Sequence, residues 1–249
     1  MANPPTTLEP PSAPTLALPA SRRRALTALL LLVPAPTVGV LASLWLLPGT
    51  MIGQLIYGAA KVWLLLLPMV WWRWVERGAW SWSPPRRGGF AVGATLGLVI
   101  SGIIIAGYGM LGTTIIDNDR LQTVAARNNL TDPTRYLLLA AYLTLINAAL
   151  EEYVWRWFVF RQCETVLRGA GLLAVLAAAA MFTLHHFIAL KLQFGWTVTL
   201  LGSLGVFIGG ATWSWLYLRY RSIWPAYLSH ALVDAAVFLV GWWLLFGGG

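Results

Sequence analysis

Apolar residues run almost unbroken through most of this 249-residue chain. The few polar residues divide them into lengths close to the roughly 20 residues with which a helix crosses a hydrocarbon core about 30 Å thick. The pattern predicts spans at 25–47, 51–75, 88–112, 135–160, 171–191, 197–218 and 222–246, each flanked by charge, glycine or proline. The fold class is therefore all-α, a polytopic membrane bundle of about seven helices (six to eight). Ahead of the first span, residues 1–21 hold Pro4, Pro5, Pro10, Pro11, Pro14 and Pro19 among Thr, Ser and Ala, too little apolar surface to order themselves, so a disordered tail is expected. Residues 22–249 read as a single transmembrane domain. Gly93 with Gly97, and Gly205 with Gly209, have the four-residue spacing that lets membrane helices approach closely.

Composition agrees with lipid as the solvent. Hydrophobic residues make up 58% of the chain against 10% charged, with a mean hydropathy of +0.69, which a soluble domain of this size could not cover with polar surface. The net charge of +8 does not imply nucleic acid, because the basic residues stand singly or in short groups at the ends of apolar runs. By the positive-inside rule Arg22, Arg23, Arg24, then Arg73, Arg77, Arg86, Arg87, then Arg161, Arg168, then Arg219 and Arg221 mark the cytoplasmic side. The expectation is a multi-pass integral membrane protein of the plasma (inner) membrane, N-terminus cytoplasmic, with lipid as a partner and no nucleic acid. The run at 25–47 exceeds the 7–15 residues of a signal-peptide core and reads as a retained helix. Trp71, Trp72, Trp74, Trp80 and Trp82, like Trp242 and Trp243, suit rings lying at headgroup depth. Cys163 is the single cysteine, which excludes an intramolecular disulfide.

Candidate chemistry lies where ionisable groups interrupt the spans. His185, His186, His230, Glu151, Glu152 and Asp234 all fall within apolar runs, where a charge costs about 2.5–3.5 kcal/mol at mid-bilayer even on the lenient scale, so such groups usually face a protein interior or a wet cavity. Glu152 and Arg156 are four apart and can pair on one helix face. Glu151 is turned about 100° from Glu152 and is the freer base. His230 and Asp234 are again four apart, as are Phe182 and His186, whereas His185 lies off that face and reads as a structural residue.

These residues resemble the three sequence blocks of the CPBP family, the CAAX-protease and bacteriocin-processing intramembrane proteases that include the Ras-converting CAAX endopeptidases. The blocks read Glu151-Glu152-x-x-x-Arg156, Phe182-x-x-x-His186 and His230-x-x-x-Asp234, with Ser222-Ile223-Trp224-Pro225-Ala226 just before the last. The resemblance covers about 135–240 and implies a helical bundle with a cavity open to one side of the membrane. It implies an intramembrane endopeptidase acting on peptide or protein substrates, lipidated or membrane-anchored tails among them. By the same resemblance Glu151 activates a water, His186 helps position it, and His230 with residue 234 stabilises the tetrahedral intermediate, while Glu152, Arg156 and Phe182 support them. Asp234 stands where eukaryotic members have asparagine. When ionised it cannot donate to an oxyanion, so it orients His230 or accepts from the substrate amide.

Two readings compete with a metal-free protease. Zinc is possible, held by Glu151, His186 and His230, although no cofactor is favoured because nothing resembles the His-Glu-x-x-His signature. A non-catalytic adaptor or immunity protein, or a proton-coupled transporter, could also bury such groups. Depth poses one difficulty: Glu151 and His230 fall nearer the cytoplasmic ends of their spans and His186 near the far end of its own. The motifs meet at one level if the helix carrying Glu151 continues past Arg161 and the next begins deeper.

Overall fold

A computed structural model describes residues 20–79, 81 and 83–247, so the proline-rich stretch at 1–19, Trp80 and Trp82 lie outside the described residues. Seven helices are long and apolar enough to cross a membrane: α1 (Ser21–Leu46), α2 (Met51–Val75), α3 (Phe90–Gly112), α5 (Pro133–Val166), α6 (Gly171–Gln193), α7 (Trp196–Tyr220) and α8 (Trp224–Phe246). A short helix, α4 (Asn118–Arg127), occupies the polar connection between α3 and α5. No strand occurs among the described residues. The chain is an integral membrane protein.

Local chemistry sets several starts. Thr50 accepts from the Gly53 amide at 3.1 Å to cap α2, and the Asp117 and Asp132 carboxylates do the same for α4 and α5 at 3.0 and 2.8 Å, each satisfying one otherwise orphaned N–H. Pro133 follows its cap directly, where a missing N–H costs nothing.

Helix α5 is the centre of the bundle. It runs for 34 residues, and two stretches of it, Tyr142–Asn147 and Tyr153–Phe160, widen to π-helical turns on either side of Glu151 and Glu152. Every residue from Val154 to Phe160 is buried, Arg156 among them, so this stretch lies inside other helices on all its faces. Its last turns pack on α1, its middle on α2, α6, α7 and α8, while α6 lies along α7 and α3 along α8.

The basic connections gather at one end of this bundle. Arg22 Nε donates to the Val166 carbonyl at 3.0 Å, Gln162 donates to Glu76 at 2.6 Å, and the Arg221 guanidinium makes two bonds to Glu164 at 2.6 and 2.8 Å. Ser222 Oγ donates to the Ser83 carbonyl at 2.7 Å, fixing the link before α8 against the link before α3.

Two expectations from the pattern need correction. The span drawn at 135–160 ends at Val166, because the buried π-helical stretch carries the helix onward, whereas α6 begins at Gly171 as drawn. Glu151 and His186 consequently stand equally far, about 22 Å at 1.5 Å per residue, from the connection between α5 and α6. The second correction concerns the glycine pairs. A Cβ on Gly93 would strike the Pro225 backbone, and one on Gly97 would meet the Ser229 Cα and carbonyl at 2.9 Å, so that pair seats α3 on α8. Gly205 faces open space and Gly209 faces Trp213 of its own helix; the close positions of α7 on α6 are Gly202 and Gly210.

Gly97→Ala is expected to cost about 1–3 kcal/mol by overpacking backbone against backbone. Gly205→Ala should leave stability unchanged or raise it by up to about 1 kcal/mol, the helix-propensity gain. Thermal unfolding of the two purified variants in one detergent checks the contrast.

Candidate active site

The site is built around Glu152, which is fully buried, as is Arg156. One carboxylate oxygen lies 3.2 Å from Arg156 Nε, and the other accepts from His230 Nδ1 at 2.9 Å. The arginine contact is an ion pair rather than an aligned hydrogen bond, and the guanidinium N–H groups meet no acceptor among the described residues. Aromatic faces hold the cation instead: its carbon sits 4.9 Å from the Phe182 ring centroid and 5.3 Å from that of Trp213. Trp213 also stacks on His230, with centroids 3.7 Å apart and planes 16° from parallel. Its Nε1 donates to Ser229 Oγ at 3.2 Å. The four-residue spacing thus pairs Glu152 with Arg156 as the sequence suggested, and the bond to His230 adds a role for Glu152 that spacing within one helix could not reveal.

Acceptors fix which ring nitrogens are free. A carboxylate paired with arginine only accepts, so the proton of His230 sits on Nδ1 and Nε2 faces outward. His186 Nδ1 stands 3.0 Å from the Phe182 carbonyl, which likewise only accepts, so His186 also offers Nε2. The Nε2 of His230 is 3.8 Å from Glu151 Oε2 and 3.6 Å from Asp234 Oδ1. Asp234, with about a quarter of its side chain exposed, is more open than Glu151 or His230. Glu152, not Asp234, orients His230 through Nδ1.

Glu151 has a different set of neighbours. Its Oε1 accepts from Asn147 Nδ2 at 2.9 Å, and Asn147 Oδ1 accepts from Lys61 Nζ at 3.2 Å. A small cavity of about 90 Å³, roughly three waters' worth, is lined by Lys61, Asn147, Glu151 and His185 among apolar walls from α1, α2 and α5. His186 and His230 approach Glu151 and Asp234 approaches His230, but none of the three lines that cavity.

His185 departs from its sequence reading as a residue off the Phe182–His186 face. Its ring stacks on Trp155 (centroids 5.5 Å, 9° from parallel), and its donor atom lies within 4.8 Å of those of Glu151 and His186. Lys61 and Asn147 escaped the sequence reading altogether. Lys61 had a signal, as the one charged residue between Met51 and Val70. Asn147 had a weaker one, four residues before Glu151 on the same face.

With that geometry in view, residues 133–236 match the family model described as Type II CAAX prenyl endopeptidase Rce1-like. Over this segment the chain is similar to Rce1-like CAAX endopeptidases. No curated protein and no solved structure matches the chain. The matched segment begins at the first turn of α5 and ends within α8. It contains Glu151, Glu152, Arg156, Phe182, His186, His230 and Asp234, and also Asn147 and His185. It excludes Lys61, which α2 brings to the site from outside the matched segment. Enzymes of this class are proteases that hydrolyse peptide bonds of substrates in membranes.

Glu152→Gln should lower stability by about 3–5 kcal/mol, because it leaves the Arg156 cation buried without its counter-charge. Glu151→Gln, whose hydrogen-bonded partner is the neutral Asn147, should cost about 1 kcal/mol. Melting temperatures in detergent measure the difference, and equal losses would show that the two glutamates act as one structural unit.

Proposed function

We propose that the chain is an intramembrane endopeptidase in which Glu151 activates a water for attack on a peptide bond. The observation that carries this reading is the contrast between adjacent carboxylates: Glu152 is occupied by Arg156 and His230, whereas Glu151 retains Oε2, facing His230 Nε2 at 3.8 Å. That gap is too long for a hydrogen bond and suits a bridging water. In the forward step Glu151 takes the water's proton while the water oxygen bonds to the carbonyl carbon, with His186 Nε2 orienting the water through its lone pair. Negative charge then develops on the carbonyl oxygen. His230, held by Glu152 at Nδ1, turns Nε2 toward that oxyanion and donates to it when the ring carries a second proton. Glu151 next gives its proton to the leaving nitrogen as the C–N bond breaks. Asp234, when ionised, accepts from the substrate backbone.

A zinc-dependent version of the same protease has one observation in its favour. The donor atoms of Glu151, His185 and His186 lie within 4.8 Å of one another, and His185 Nδ1 has no hydrogen-bond partner among the described residues. Two neutral imidazoles and a carboxylate fit the three-ligand catalytic pattern, with His185 in place of His230 in the set read from sequence. A zinc ion held there would act as a Lewis acid and acidify its water.

The basic end of the bundle, where Arg22 meets Val166 and Arg221 meets Glu164, is assigned to the cytoplasm by the positive-inside rule. On this reading the N-terminus is cytoplasmic, and the plasma (inner) membrane is the expected location.

Glu151→Gln should lower cleavage of a farnesylated peptide ending Cys-Val-Ile-Met by about 10²–10⁴-fold, the usual contribution of a general base, with the protein still folded in the membrane. Product fragments measured by mass spectrometry give the result, and full activity in this variant would remove the mechanism. A chelator separates the two chemistries. Metal content of the purified protein and recovery of activity on zinc addition should both be absent if Glu151 acts alone.

A further inference from the structure

Lys61 belongs to no block of the matched domain, and no carboxylate lies within ion-pair distance of it among the described residues. It sits well inside α2, half-buried in the wall of the cavity beside Glu151, with its ammonium 5.8 Å from the Tyr57 ring centroid. Of the three donors an ammonium carries, one goes to Asn147. A cation kept within an apolar span without a directly paired counter-charge is costly, and such groups usually face a ligand path.

Resting on the protease reading of the site, we infer that Lys61 binds the free carboxylate at the C-terminus of the substrate, so that the peptide is cut at a fixed short distance from its end. Three observations converge on this. The first is reach: Lys61 and Glu151 are bonded to opposite ends of one carboxamide, which puts Nζ within about 8 Å of the Glu151 carboxylate. An extended peptide advances about 3.3–3.6 Å per residue, so a terminus at Lys61 leaves two to three residues beyond a bond attacked at Glu151. A C-a-a-X tail has three residues beyond its prenylated cysteine. The second is position, since Lys61, Asn147 and Glu151 line one cavity and are reached from the same space. The third is charge and lining. A substrate carboxylate this near Glu151 would be repelled unless a cation stood beside it, and the other walls, Val40, Leu64, Leu150 and Val154, match aliphatic side chains.

Two farnesylated peptides ending Cys-Val-Ile-Met, one with a free terminal carboxylate and one with a terminal amide, test the inference. Binding is measured by fluorescence anisotropy to the full chain carrying Glu151→Gln in lipid nanodiscs, and cleavage is measured with the native chain. The acid should bind at least tenfold more tightly than the amide and show the lower KM. Lys61→Gln should weaken the acid to the level of the amide and leave the amide unchanged, and Lys61→Arg should keep part of the preference. Equal binding of acid and amide overturns the inference. So does a loss of kcat in Lys61→Gln that is the same for both peptides, which would make Lys61 a positioning residue acting through Asn147. Acid-selective binding without cleavage by the native chain would instead remove the protease reading and leave the carboxylate site standing.

Discussion

A carboxylate without solvent exposure in the middle of a membrane protein is tolerable only if its charge is met from several sides, and at Glu152 two groups meet it at once. Arg156 approaches one oxygen from the same helix and His230 bonds the other from α8. This single carboxylate therefore ties two helices that are 78 residues apart in sequence. Its influence extends through the aromatic rings, because the Arg156 cation rests on Phe182 of α6 and Trp213 of α7, and Trp213 covers the face of His230. Four helices thus take their positions from one charge. The His230 ring is held at an edge by Glu152 and on a face by Trp213, and this pre-orients Nε2 before any substrate arrives.

The consequence for chemistry lies in adjacency. Consecutive helical residues point about 100° apart, so two neighbouring glutamates seldom address the same partner. Here the pair lies in a five-residue α-helical segment, Ala148–Glu152, between two π-helical stretches, and both carboxylates reach opposite nitrogens of one imidazole. Glu152 sets the ring and Glu151 faces its free nitrogen. π-helical turns occur often at functional sites because the extra residue per turn redirects side chains. In α5 they also carry the helix through to Val166, which brings Glu151 level with His186.

Much of this was legible in the chain, and its limits have physical causes. Apolar run length gave seven spans because lipid demands it. The Glu152–Arg156 pair followed from helical period, since both partners share a helix. The bond from Glu152 to His230 did not, because it crosses between α5 and α8 and period says nothing about partners on another helix. Lys61 was overlooked because it stands alone in α2, far in sequence from the motif blocks, where a solitary lysine reads as an accident in a hydrophobic run. His185 was assigned away from the site by its angle on α6, yet stacking on Trp155 turned the ring back toward Glu151. The Gly205–Gly209 pair shows the converse, a pattern present in sequence with no close approach behind it. Spacing of that kind arises readily in apolar helices, and only the partner's surface decides which glycines are used.

The division of the site between α5–α8 and α2 bears on how such an enzyme can change substrates. The groups proposed for bond cleavage all lie within the matched domain, locked by Glu152 into a network that tolerates little alteration. Lys61 belongs to a helix outside it and touches the network at one hydrogen bond, through Asn147. A substitution there alters what the cavity holds without unpairing a buried charge in the network. If Lys61 holds the substrate's end as inferred, the register of cleavage follows the distance between α2 and α5, which meet through Trp72 and Trp157 as well as through the Lys61–Asn147 bond. That distance can vary between related chains while the carboxylate–imidazole geometry stays fixed. On the proposed reading, chemistry and choice of substrate end are carried by separable parts of the bundle, with one asparagine side chain between them.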